Sequence, residues 1–135
     1  MKPITLRIKP LSVNKAWQGK RFKTPDYKMY QKAINWLLND AKPYFDASDK
    51  YLSLKIVFGF SNLASDVDNP VKPFQDCLSR FYQFDDKKIR NLNVSAVKVK
   101  KHKEFICFNL EQLDDVYNVI HRAGFDVDEI KSLQT

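Results

Sequence analysis

With 135 residues, 44% of them hydrophobic and 13% aromatic, the chain is long enough to bury the core of one ordinary domain and too apolar to be disordered. A formal net charge of +7 and a pI near 9.4 point to a polyanionic partner, nucleic acid before anionic membrane. No apolar run approaches the roughly 20 residues of a membrane span, and Met1-Lys2-Pro3-Ile4 lacks a signal-peptide core, so a cytoplasmic protein without a membrane partner is expected.

Ile4, Leu6 and Ile8 alternate with Thr5, Arg7 and Lys9, the pattern of a half-buried strand that Pro10 ends. Residues 11–24 read as a basic loop. Thr24-Pro25 has the form of a helix N-cap and first position, and Tyr27, Tyr30, Ile34, Leu37, Leu38 and Ala41 recur at helical spacing up to Pro43. Met29, Ala33 and Trp36 form a second stripe, read as further core, with a subunit contact as the other reading. A polar turn, Asp46-Ala47-Ser48-Asp49, precedes a strand from Tyr51 to Phe60 with Leu52, Leu54, Ile56, Phe58 and Phe60 on one face.

After the acidic segment Ser65-Asp66-Val67-Asp68-Asn69, the residues Phe74, Cys77, Leu78 and Phe81 mark an amphipathic helix over about 73–82. A tight turn over Asn69–Lys72 keeps Pro73 out of the helix interior, where its missing N–H would be needed. Strands over about 89–100 and 104–110 follow, the first with a bulge suggested midway by a change of alternation. Lys101-His102-Lys103 is the turn between them. A short helix from about Leu113 turns Val116, Tyr117 and Ile120 inward and stops at Gly124. The order β-α-β-α-β-β plus a short C-terminal helix predicts an α+β domain, with a mixed, largely antiparallel sheet packed against two main helices.

Charge is unevenly placed. Residues 1–25 hold seven basic side chains and no acid, and residues 87–103 hold another seven and no acid. Residues 111–135 carry six acids against Arg122 and Lys131, which leaves 1–110 with a charge of +11. Cys77 and Cys107 lie in apolar runs without metal-ligand spacing and read as buried thiols in a reducing compartment.

Within this basic body the Asp66/Asp68 pair is an anomaly. At i, i+2 in an extended segment the two carboxylates face one way, roughly 7 Å apart at Cα. Mutual repulsion would raise the pKa of one, or a hard divalent cation such as Mg²⁺ would bind between them. Asp85 or Asp86, after the next helix, can return to the same place. Lys72 lies where a cation is disfavoured by the helix dipole unless anions or a phosphate are near. Asp-Asn-Pro is also good turn chemistry.

The run Asp66-Val67-Asp68-Asn69-Pro70-Val71-Lys72-Pro73-Phe74-Gln75-Asp76-Cys77-Leu78, followed by Phe84-Asp85-Asp86-Lys87-Lys88-Ile89, resembles the RusA family of Holliday junction resolvases. Pro10–Trp17 and Tyr27–Gln31 are similar to further family segments. The resemblance spans about residues 4–111 and implies a nuclease domain over 1–111, with 112–135 an acidic helical extension outside it. It also implies a homodimeric, Mg²⁺-dependent endonuclease, with Mn²⁺ as a possible substitute. The substrate would be branched DNA, nicked in pairs at four-way junctions during recombination and repair in a bacterial cytoplasm, the gene being bacterial or phage-borne.

Carried over by motif, the catalytic residues are Asp66, Asp68, Lys72 and Asp86, and the metal ligands are the three aspartates. Asp85 stays as the alternative to Asp86, because the connection from Lys72 is one residue shorter than in the best-known member. Asn14, Lys15, Lys20, Arg21, Lys23, Lys100 and Lys101 are the candidate DNA contacts, with Trp17 and Phe22 either stacking on bases or, for Trp17, folding into the core. A non-catalytic branched-DNA-binding protein is the alternative function.

Overall fold

The computed structural model describes residues 1–19, 22–47, 50–64 and 66–135, Phe22 by its backbone alone. The expected DNA contacts Lys20 and Arg21, Ser48 and Asp49 of the polar turn, and Ser65 of the acidic segment lie outside the described residues.

The fold is α+β. In chain order the elements are β1 (Ile4–Leu6), α1 (Val13–Ala16), β2 (Trp17–Gln18), β3 (Phe22–Lys23), α2 (Pro25–Ala41), β4 (Tyr51–Phe60), α3 (Val71–Tyr82), a 3₁₀ turn (Asp86–Lys88), β5 (Ile89–Lys98), β6 (Phe105–Leu113), α4 (Val116–Arg122) and α5 (Val127–Ser132). The main sheet has the order β1-β6-β4-β5, antiparallel except for the parallel β4–β5 pair that α3 connects. The region read as a basic loop contains α1 and the two-residue β2–β3 ribbon.

One apolar core accounts for this arrangement. Leu52, Leu54, Ile56, Phe58 and Phe60 of β4 are all buried, as alternation requires. Opposite them on β6, Ile106, Phe108 and Leu110 are buried in register with Phe58, Ile56 and Leu54. From α2 come Tyr27, Tyr30, Ile34 and Leu38, and from α3 Phe74, Cys77 and Leu78. The Phe74 ring meets Phe108 edge-on at 5.3 Å. Each fully buried large side chain contributes about 1.5–3 kcal/mol relative to exposure.

Helix ends follow local chemistry. Thr24 Oγ1 caps the Tyr27 N–H with Pro25 at the first position, and Lys42 ends α2 in the left-handed conformation at φ 48°. Gly124, at φ 95°, closes α4: its N–H donates to His121 O and that of Phe125 to Ile120 O, the paired bonds of a Schellman motif.

Several expectations are corrected. Strands β5 and β6 do not form a hairpin. They lie on opposite sides of β4, so the Lys100–Lys103 turn carries the chain across the end of β4, where the Val99 N–H donates to Phe60 O at 2.7 Å. The register shift in β5 falls at its start, around Arg90, and not midway. The stripe Met29–Trp36 is not core: Met29 is 69% and Trp36 66% exposed. Ala41 is also exposed, and Cys107 is half-buried while Cys77 is buried. Helix α3 begins at Val71, so Pro73 is its third residue, where a helix uses no N–H of its own. The tail holds two short helices, and β6 continues through Leu113, so the tail proper starts at Asp114.

Candidate active site

Lys72 is the second residue of α3. Its ammonium donates to Asp76 Oδ1 at 3.0 Å, one helical turn on, and to Asp86 Oδ2. The charge is thus held near a helix N-terminus, against the dipole, by two carboxylates.

Asp86 arrives there because the chain reverses after α3. Gln83 adopts φ 57° and the Phe84 N–H donates to Ser79 O, folding the following residues back along the helix. Asp85 and Asp86 then diverge in role. Asp85 caps the 3₁₀ turn, accepting from the Lys87 N–H at 3.0 Å. Asp86 faces α3, where the Lys72 ammonium donates to it. The Lys72 hydrogen bond holds the Asp86 carboxyl below its ordinary value, and that same bond raises the Lys72 pKa above its own.

Asp76 has a second partner. The hydroxyl of Tyr27, a fully buried residue of α2, donates to Asp76 Oδ2 at 3.2 Å. Burial, and next the Asp76 charge, push the tyrosine pKa up, so it stays a donor. Asp76 and Tyr27 lie in segments that carry the family resemblance, but the sequence reading gave neither a role at the site. The sequence signal for Asp76 was its i+4 spacing from Lys72. For Tyr27 the signals were its place on the apolar stripe and in the family-like segment Tyr27–Gln31.

Asp66 and Asp68 are not in an extended segment. Residues 67–70 form consecutive turns, with the Asn69 N–H on Asp66 O at 3.2 Å and the Val71 N–H on Asp68 O at 3.0 Å. These bonds use backbone carbonyls, which any residue supplies. Both aspartates are exposed, and among the described residues neither carboxylate has a hydrogen bond or ion-pair partner. The loop is anchored from the far side, where the Val13 N–H of α1 donates to Asn69 O at 2.9 Å.

The candidate DNA contacts fall in three places. Asn14 and Lys15 are exposed on α1, beside that anchor. Lys23 lies 5.4 Å from the centre of the Tyr27 ring and bonds Gln31 Oε1 at 3.3 Å, which places it near Asp76. Lys100 and Lys101 line a surface hollow with Ser61, at the end of β4 from which the acidic loop departs. Trp17 is half-buried and packs edge-on to Tyr27 at 5.5 Å, leaving less of its face for a base.

Carboxylates are the right donors for Mg²⁺. In the geometry here Asp86 is engaged by Lys72, and among the described residues no three His, Cys, Asp or Glu side chains converge on one ion position. Asp66, Asp68 and Asp86 have the oxygen donors such an ion takes, and Asp86 is held by the Lys72 ammonium. Among the described residues no helix is long and apolar enough to cross a membrane. Comparison with protein-family models gives no match, and no curated protein matches the chain.

Proposed function

We propose that the chain is a metal-dependent endodeoxyribonuclease acting on branched DNA, resolving four-way junctions by paired phosphodiester hydrolysis in recombination and repair. One observation carries this reading. Two exposed carboxylates, Asp66 and Asp68, have no partner among the described residues of a protein of net charge +7, and stand directly ahead of a lysine held between Asp76 and Asp86. Anions left without partners in a phosphate-binding protein have a use when a cation joins them to the phosphate.

In this reading Asp66, Asp68 and Asp86 hold Mg²⁺, or Mn²⁺ in its place. The ion supplies a polarised water and positive charge for the phosphorane-like transition state. Lys72 neutralises a phosphate oxygen. Asp76 would keep the ammonium at the site if Asp86 held an ion, and Tyr27 keeps Asp76 in place. Two copies related by a twofold axis give two symmetric nicks, and the protein works in the cytoplasm.

The test is incubation of the purified protein with an end-labelled four-way junction and Mg²⁺ or Mn²⁺, beside flap, duplex and RNA substrates. Paired nicks in the junction are expected. Full-occupancy binding without nicks across both metals and a range of pH would leave a branched-DNA-binding protein in its place.

A further inference from the structure

Away from the acidic loop, α2 and α3 enclose a groove of about 450 Å³ lined by Lys28, Gln31, Lys32, Asn35, Cys77 and Arg80. On α2 the four polar residues follow i, i+3, i+4, i+7 and make one face. On α3, Cys77 and Arg80 are one turn apart. Three cations line this groove with no carboxylate among them. Lys28 and Lys32, at i, i+4, repel each other, and all three cationic residues are exposed. Gln31 accepts from Lys23 on its Oε1, and among the described residues its buried Nε2 has no partner at hydrogen-bond geometry, although the amide lies beside the Tyr27 hydroxyl.

The groove is an acceptor-poor channel: three charges and the Asn35 amide offer donors, and the wall between them is a buried thiol. Burial pushes the Cys77 thiol up to about 12, so it adds no negative charge at neutral pH. A chain of phosphodiesters fits these donors, because successive phosphates present one anion at a time to cations spaced along two helices. The groove lies on the α2–α3 side that also carries Lys23 and Asp76, both of which act on the Cys77 sulfur.

We propose that the α2–α3 groove is a nucleic-acid backbone track in which Lys28, Lys32 and Arg80 each neutralise a phosphate and Asn35 donates to a phosphate oxygen. It goes beyond the nuclease reading and does not require cleavage. Lys28 falls in the family-like segment Tyr27–Gln31, whereas Lys32, Asn35 and Arg80 lie outside the family-like segments, and none of the four is in the basic segments at 1–25 and 87–103.

The test compares two triple variants of equal charge: Lys28→Gln/Lys32→Gln/Arg80→Gln in the groove, and Lys55→Gln/Arg122→Gln/Lys131→Gln elsewhere. Affinity for a fluorescein-labelled duplex and a four-way junction is measured against salt concentration in EDTA, with thermal melts to establish folding. The groove variant should lose roughly 2–3 from the magnitude of the log–log salt slope, about 0.9 per phosphate contact, and the control less than 1. Equal losses in both variants, or none in either, overturn the proposal. A calorimetric arm with inorganic phosphate separates the sources. Phosphate binding lost in the groove variant with an unchanged DNA slope overturns the backbone assignment in favour of a free anion. Because the slopes are read in EDTA they do not depend on catalysis: a changed slope there, beside absent nicking in the assay with Mg²⁺ or Mn²⁺, would sink the nuclease reading and leave the groove standing.

Discussion

Lys72 and Asp86 stand fourteen residues apart in sequence and form an ion pair that widens the pH range over which both are charged. Asp86 titrates below its ordinary value and Lys72 above its own. The pair is partly exposed, with side chains 29% and 54% accessible, so its contribution to stability is screened and small. The signs fix a pH window. The Asp86 contribution is present above the unfolded carboxyl pKa and is lost as pH falls through the lower folded value. The Lys72 contribution is present below the unfolded lysine pKa and is lost as pH rises through the higher folded value. The melting temperatures of wild type and Lys72→Met should therefore differ most between about pH 5 and 10 and converge at both extremes. A difference that persists unchanged at pH 2 would contradict the pair.

Asp66→Asn should lower junction cleavage by about 100-fold or more, the loss expected when a ligand of a catalytic ion is removed. Junction binding should hold or tighten, since a charge that repels phosphate is gone. Gel-shift affinity and nicking rate on the same preparation decide it. Parallel loss of both would mean that the aspartate serves the loop and not an ion.

Tyr27→Phe removes the hydroxyl that donates to Asp76 Oδ2. A hydrogen bond to a charged acceptor is worth roughly 1.5–3 kcal/mol, so the variant should melt several degrees lower. It should also nick more slowly, because Asp76 then tethers Lys72 less well. The double variant Tyr27→Phe/Asp76→Asn should lose less than the sum of the two single effects in denaturant melts.

Gly59 lies on β4 opposite Phe105, and a Cβ built there would come within 2.5 Å of the Phe105 ring. Gly59→Ala should destabilise by about 1–3 kcal/mol, as overpacking does. Phe105→Leu should restore part of that loss in the double variant. If Gly59→Ala melts like wild type, the ring swings aside at no cost.

Cys77 is buried and its thiol pushed up to about 12 by that burial, while Cys107 is half-buried. Thiol labelling at pH 8 should show one residue reacting well before the other, identified by peptide mapping as Cys107. Faster labelling of Cys77 would mean that α2 and α3 part readily.

Periodicity made the larger elements legible. Strand β4 and helix α2 were readable because each buries an unbroken stripe, and both termini of α2 carry their own punctuation in Thr24-Pro25 and Pro43. The β5–β6 connection was not readable, since a three-residue turn between two strands looks the same whether they pair or straddle a third. Met29 and Trp36 misled because apolar spacing reports a face without reporting what lies against it. Of the site, the acids and Lys72 stood out as a cluster in sequence. Asp76 and Tyr27 did not, because their link spans two helices and depends on how α2 crosses α3.

The strand order has a consequence for synthesis. β4 is the centre of the sheet, yet both of its neighbours follow it in the chain. At about 5–20 residues per second, the apolar face of β4 leaves the ribosome several seconds before β6 can cover its edge. A nascent strand with five large apolar residues on one side and open hydrogen-bonding groups on both edges is a template for wrong pairing. Lys50 at its start and Lys55 in its middle place charge on that template, so the same basic residues that set the protein's surface also guard it before it has one.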